Sequence, residues 1–266
     1  MERVKPAEHI DEALSEHQRR VMTQVLAEEA SRREHVVVYL SGAHAYGFPS
    51  PDSDLDLKAI HVAKTADLLG FDIEAPTADC TEVVDGVEID YTSNELAHAL
   101  SGILGGNGNF IERTLGRLVA HSSPLLAELR PLVQRSLSRR VHKHYRGFAL
   151  NQLRFLEKEP TAKKLLYVLR TTLTGIHLLE SGQLEADLTR LMDRYGLPDA
   201  ASVIERKRLG ERVELDAALC DEWRPRVDAL LERLDGAREK SPLPEAPPNE
   251  SDVREWLLAV RRARFV

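Results

Sequence analysis

Cysteine is nearly absent from this chain, and none of its apolar runs is long. The two thiols, Cys80 and Cys220, lie far apart, so no disulfide framework is available and two free, buried thiols in a reducing compartment are expected. No apolar run approaches the roughly 18–20 residues that cross a bilayer, which leaves no membrane partner to expect. Residues 1–14 are charged and lack the apolar stretch of a secretory signal, and a cytoplasmic protein is the expectation. Zinc-like spacing of histidine and cysteine is missing too; His142 and His144 merely flank Lys143. There is no internal repeat and no low-complexity tract. What remains is 266 residues, 42% hydrophobic and 30% charged, enough for one large domain or two smaller ones with their own cores.

An overall positive charge is also lacking. A formal net charge of −7 argues against a uniformly basic nucleic-acid binder. The charge is uneven, however. Between positions 130 and 175 stand Arg130, Arg135, Arg139, Arg140, Lys143, Arg146, Arg154, Lys158, Lys163, Lys164 and Arg170, opposed only by Glu157 and Glu159. Such a local excess attracts phosphates, and it equally describes a helix with a solvated basic face.

The hydrophobic period changes along the chain. Ile10, Leu14, Val21, Val25 and Leu26 share a helical face over 10–31. Val36-Val37-Val38-Tyr39-Leu40 is a short β-branched run, read as a buried strand. It empties into Ser41-Gly42-Ala43-His44-Ala45-Tyr46-Gly47, a small-residue turn, and then a loop of Pro49-Ser50-Pro51-Asp52-Ser53. Residues 54–62 alternate with period two, as a half-buried strand does. Residues 81–84 and 87–91 flank Asp85-Gly86, a hairpin signal for a type I′ turn. From Asn94 onward the pattern is helical: 95–104, 110–119, 135–158, 161–181, 183–195 and 212–236. The proline-rich stretch 241–248 cannot be helix interior and reads as a strap. A last helix over 251–263 follows, capped by Ser251 or Asp252. The expected class is α+β: a small mixed-sheet domain over 1–120, then an all-helical domain over 121–266, with the boundary near 121–131.

One arrangement carries chemistry. Asp54 and Asp56, two apart on a strand, point to one face while Leu55 and Leu57 point into a core. Two neighbouring carboxylates repel unless a cation lies between them, and Mg²⁺ prefers oxygen ligands of this kind together with phosphate oxygens. Asp90 stands on another expected strand and can join them if the strands pair. Three carboxylates suffice to hold two metal ions for in-line phosphoryl chemistry. At Gly42 the missing side chain lets a triphosphate approach backbone N–H groups, with Ser41 and Ser53 as further donors.

Taken together, Gly42-Ala43-His44-Ala45-Tyr46-Gly47 and Pro51-Asp52-Ser53-Asp54-Leu55-Asp56 resemble the signature of the DNA polymerase β nucleotidyltransferase superfamily. Within it they resemble a bacterial and phage branch associated with RNA ligases. Asp90 with Leu96 resembles that branch's third acidic residue and following helix. Gly106-Asn107-Gly108-Asn109-Phe110-Ile111-Glu112 resembles its Gly-Asn-x-Asn-x-x-Glu turn, and Tyr145 to Gln152 and Lys163 to Gly182 resemble its helical region. The likeness covers about 36–185.

The resemblance implies transfer of a nucleoside monophosphate from a nucleoside triphosphate, ATP among the candidates, to an acceptor hydroxyl, with release of pyrophosphate. Asp54 and Asp56 would hold two ions, Mg²⁺ or Mn²⁺, and Asp90 would complete the site nearest the acceptor. Glu88 shares Asp90's strand face and competes for that role. Lys164 and Arg170 are expected on the triphosphate or an acceptor phosphate, or simply on a basic helix face. Asn107, Asn109 and Glu112 belong to the site or to a helix cap. The superfamily usually has Gly-Ser where this chain has Gly42-Ala43, a lost hydroxyl that Ser41 or His44 can replace. The acceptor is expected to be an RNA 3′ end. A small molecule or protein side chain is the alternative acceptor, and a non-catalytic nucleotide- or RNA-binding module is the alternative class.

Overall fold

Buried and half-buried residues alternate along the first half of 55–62, which is what a strand shows when one face meets an apolar layer and the other carries polar groups. The computed structural model describes residues 9–69, 75–210 and 212–265, so most of the stretch read against a secretory signal, residues 1–8, lies outside the described residues. In chain order the elements begin with helices α1 (Ile10–Ala13) and α2 (Glu16–Arg32), strand β1 (Glu34–Leu40), the one-turn helix α3 (Gly42–Ala45) and strand β2 (Leu55–Val62). Strands β3 (Thr77–Val84) and β4 (Val87–Glu95), helices α4 (Leu96–Leu104) and α5 (Gly108–Leu115), strand β5 (Val119–Ser122) and helix α6 (Pro124–Ser136) come next. The remainder is helical: α7 (Val141–Lys158), α8 (Ala162–Ser181), α9 (Leu188–Arg194), α10 (Ala200–Lys207), α11 (Ala217–Lys240) and α12 (Glu250–Arg262).

The fold is α+β, and its contacts divide it into two units. Of the described residues, 9–42, 54–69, 75–137 and 246–265 form a sheet unit; 43–53, 138–210 and 212–245 form a helical unit. This differs from the division at 120 read from the sequence. Helices α6 and α12 pack with the sheet, and the loop 43–53 packs with the helices.

In the sheet unit the strand order is β3-β4-β2-β1-β5. Only β2 and β4 run parallel; the other neighbours are antiparallel. Asp85 (φ 48°) and Gly86 (φ 79°) both take the positive φ values of the expected hairpin turn. Val36, Val38, Leu40, Leu55, Leu57 and Ile89 are fully buried and form the centre of the core. Helix α2 starts with a reciprocal Ser15–Gln18 capping box. Helix α12 is fastened by Asn249, which accepts a hydrogen bond from Ser136 Oγ (3.0 Å) and donates one to the Leu132 carbonyl (3.0 Å). Asn249, not Ser251 or Asp252, is the residue at its start. At its far end Arg261 pairs with Glu95 and donates to the Ala63 carbonyl at 3.2 Å.

In the helical unit α8 is the buried centre, capped by Thr161 and ended by Gly182 in the left-handed conformation (φ 69°). The proline strap is bound to Arg139: its backbone N–H donates to the Pro244 carbonyl (2.8 Å), and its guanidinium to those of Leu243 (3.0 Å) and Ser241 (2.6 Å). These bonds fall where α6 ends and α7 has not begun, so the expected helix 135–158 is two helices. The helix expected over 110–119 stops at Leu115, because residues 119–122 pair with β1 instead. That expected over 183–195 begins only at Leu188, where Asp187 caps it.

Candidate active site

Register brings two of the three expected carboxylates together. In the parallel β2–β4 pair, Asp56 lies directly opposite Asp90, as Leu55 lies opposite Ile89 and Leu57 opposite Tyr91. The apolar partners are buried, while Asp56 and Asp90 are half-buried on the other face. The side chain of Lys58, two residues beyond Asp56, shares their face. Its Nζ is 2.8 Å from Asp90 Oδ2 and 3.6 Å from Asp56 Oδ1. It also donates to the Asp90 carbonyl (3.2 Å) and to Thr92 Oγ1 (3.4 Å). Asp54 immediately precedes β2 and is half-buried; Glu88 is exposed and opposes Val83 of β3.

Gly42 closes one side of this arrangement. Its φ is +63°, and a Cβ built on it would stand 1.8 Å from Asp56 Oδ2. Any larger residue would therefore displace the carboxylate as well as strain the backbone. Ser41 reinforces the contact, its N–H donating to the Asp56 carbonyl at 2.8 Å.

The loop after Gly42 is held by the helical unit. His44 is buried. The Tyr46 carbonyl accepts the N–H of Leu188 (3.0 Å), and its ring lies 3.5 Å beneath the Arg170 guanidinium. Gly47 (φ +85°) leaves room for Asp187, whose Oδ1 would be 2.2 Å from an added Cβ. Ser53 is buried: its Oγ accepts from the Ser50 N–H (3.0 Å) and from Lys207 Nζ (3.2 Å). Lys207 Nζ also donates to Ser50 Oγ at 2.5 Å.

Other expected site residues have structural partners. Asn107 caps α5, its side chain accepting the N–H of Asn109 (3.0 Å). Glu112 is buried on α5. Lys164 pairs with Glu159. Arg135, Arg139 and Arg146 pair with Asp252, Glu245 and Asp235, and Arg130 donates to the Thr114 and Gly116 carbonyls. Much of the basic excess of 130–170 is thus matched by acidic groups and carbonyls brought in by folding. Lys143, Arg154 and Lys158 remain exposed on α7.

Two lysines escaped the sequence reading. Lys58 continues the alternation Asp54, Asp56, Lys58 and was visible by period alone. Lys207 lies more than 150 residues from Ser50 and Ser53 along the chain, and no local signal points to it.

Among the described residues no three Asp, Glu, His or Cys side chains stand as a ready cage for an ion. The Asp56–Asp90 pair nevertheless fits a divalent cation chemically: hard carboxylate oxygens on adjacent strands, sharing one cationic group, Lys58.

A family model described as the RNA repair pathway DNA polymerase beta family matches residues 14–259. The chain belongs to this family. An uncharacterised protein of Methanocaldococcus jannaschii is 31% identical over 172 residues, covering 60% of this chain and 67% of the relative. The protein YcgL of Bacillus subtilis is 28% identical over 229 residues, covering 80% of this chain and 86% of its own. The crystal structure of a nucleotidyltransferase-like protein from Exiguobacterium sibiricum aligns with 93% of this chain and 80% of its own, at TM-score 0.33 and 12% identity. Membership in the polymerase beta family of RNA repair makes nucleotidyltransferase-type activity the frame for this site. No helix among the described residues is long and apolar enough to cross a membrane.

Proposed function

We propose that this chain is a metal-dependent nucleotidyltransferase that moves a nucleoside monophosphate from a nucleoside triphosphate to a hydroxyl, releasing pyrophosphate. The observation that carries the reading is the register of Asp56 opposite Asp90 beside a side-chain-free Gly42. It favours Asp90 over the exposed Glu88 as the third carboxylate. Asp54 and Asp56 would hold both divalent ions, Mg²⁺ or Mn²⁺, and Asp90 would hold the one nearer the acceptor. When bound, the ions neutralise charge on the phosphates and on the attacking and leaving oxygens.

The chain's own residues do the rest. Asp90 draws the proton from the acceptor hydroxyl, whose oxygen forms the bond to the α-phosphorus. The bond from that phosphorus to the bridging oxygen breaks, and pyrophosphate leaves with the electron pair. Gly42 and the backbone N–H groups that follow admit the phosphates closely. Ser41 and Ser53 would be hydroxyl donors to phosphate oxygens, with His44 beside Ala43, and Lys164 and Arg170 would be cations for phosphates. Asn107 and Asn109 at the start of α5, and Glu112 within it, are further candidates for the site.

An RNA 3′ end is the acceptor that the family's place in RNA repair supports, with Lys143, Arg154 and Lys158 as exposed cations for a phosphate backbone. The experiment is incubation with labelled nucleoside triphosphates, Mg²⁺ or Mn²⁺ and an RNA pool. Label moves to RNA with the wild type and not with Asp54→Ala plus Asp56→Ala. Equal transfer by both proteins, or none by the wild type, overturns the reading.

A further inference from the structure

We propose that Lys58 is a built-in counter-ion of the Asp56–Asp90 pair, which makes the site take up a divalent cation as its nucleotide complex rather than as the free ion. The inference rests on the reading of Asp56 and Asp90 as metal-holding carboxylates. Lys58 is not a solvated surface lysine that drifts near an acid. Its side chain is 17% exposed, and its ammonium reaches two carboxylates, the Asp90 carbonyl and the Thr92 hydroxyl at 2.8–3.6 Å. An ammonium has three donors, and this socket offers acceptors for all of them. The strand supplies the lysine by period: Asp56 and Lys58 share a face of β2, and Asp90 and Thr92 share that face of β4.

Charge decides the consequence. Asp56 and Asp90 alone carry −2, a strong attraction for a free divalent ion and an equally strong repulsion for the polyphosphate that must lie beside it. Lys58 reduces the pair to −1. A free Mn²⁺ or Mg²⁺ must then displace or sit beside a positive group, so its binding is weakened. A metal–triphosphate complex is itself anionic, and for it the same ammonium lowers repulsion and offers a charge-assisted donor. One residue therefore acts on the two ligands with opposite sign, disfavouring the bare ion and favouring the ion that arrives with phosphate.

The test measures binding, apart from any turnover. Mn²⁺ binding is titrated calorimetrically on wild type, Lys58→Met and Lys58→Arg, first alone and then with a non-hydrolysable nucleoside triphosphate analogue, with thermal unfolding as the check that each variant is folded. Lys58→Met is expected to bind free Mn²⁺ about tenfold tighter, roughly 1.4 kcal/mol, and the Mn²⁺–analogue complex more weakly than wild type. Lys58→Arg, which keeps the charge, is expected to follow the wild type. Free Mn²⁺ binding that is unchanged or weakened in Lys58→Met overturns the proposal. Asp56→Asn and Asp90→Asn, each built on wild type and on Lys58→Met, separate this from a failure of the underlying reading. If Mn²⁺ binding survives both carboxylate changes, the metal-site assignment itself is wrong. If those changes abolish it while Lys58→Met has no effect, only the counter-ion role falls.

Discussion

The two faces of the central sheet carry similar numbers of polar groups under opposite conditions. On one face Asp56, Lys58, Asp90 and Thr92 are half-buried, and water still reaches the charges. On the other, His35, His61 and Ser93 are buried, and Tyr91 is 1% exposed. Two contacts there join neutral groups: His35 Nε2 to Tyr91 Oη at 2.6 Å and His61 Nδ1 to Ser93 Oγ at 2.7 Å. Burial holds the His35 imidazole down to about 4, helped by its neighbours His121, His61 and Arg33, and pushes the Tyr91 phenol up to about 12. A charge that must meet a ligand is kept near water, whereas a polar group that only joins strands is stripped of charge and satisfied internally. Under the proposed function, the first face serves chemistry and the second joins strands.

The largest effect that sharpens this contrast is on the first face. Asp56→Asn is expected to lower nucleotide transfer by about a thousandfold or more, on the order of 4 kcal/mol of barrier. Unfolding free energy is expected to change by less than about 1 kcal/mol, because losing the 3.6 Å contact with Lys58 is offset by relief of repulsion from Asp90. A transfer assay and a denaturant titration on the same preparation check both halves. Next comes a pH dependence from the second face. The folded-state value of His35, about 4, lies below its ordinary 6.5. Its neutral form therefore stabilises the fold fully above pH 6.5, and this contribution is lost as pH falls toward 4. The loss should amount to about 2–3 kcal/mol, and in His35→Gln the stability curve should flatten across that window. Smaller again is Tyr91→Phe, which leaves a buried imidazole nitrogen without its 2.6 Å partner. It should cost about 1–3 kcal/mol of stability with kcat unchanged. A fall in kcat at full folding would show that the faces are not separate.

Legibility followed the same line. Strand period, the hairpin turn and the carboxylate spacing were all local, and each was visible in the sequence: positions 55–58 alternate, Asp85-Gly86 turns, and Asp56 and Asp90 can be proposed as neighbours. Their register, residue for residue, is a tertiary fact that no window of sequence contains. The same holds for Lys207 under Ser50 and Ser53, and for α12, which docks on the sheet through Asn249 and Arg261 although the chain reaches it through the helical unit. The charge run was legible only in part: within 130–170, Arg135, Arg139 and Arg146 pair with Asp252, Glu245 and Asp235, each more than 80 residues further along the chain, while Lys143, Arg154 and Lys158 stay exposed. Amphipathic period gave the helices but not their breaks. The break at 137–140 is set by strap carbonyls that arrive a hundred residues downstream.

The smallest effect is the most discriminating. Lys58 is 17% exposed, but its closest partner, Asp90, is 41% exposed. An ion pair with one partner this wet is worth about 0–1 kcal/mol. Lys58→Met should therefore shift the denaturant midpoint by no more than that, even though the same change is expected to alter Mn²⁺ affinity tenfold. Sodium chloride should shrink the difference further, since a water-accessible pair is screened and a buried one is not. A cost of 3 kcal/mol or more, insensitive to salt, would mean that the carboxylate face is as dry as the histidine face and that Lys58 is a structural strut. The contrast between the two faces would then fail at the residue where it matters most, because a strut cannot give way to an incoming ion.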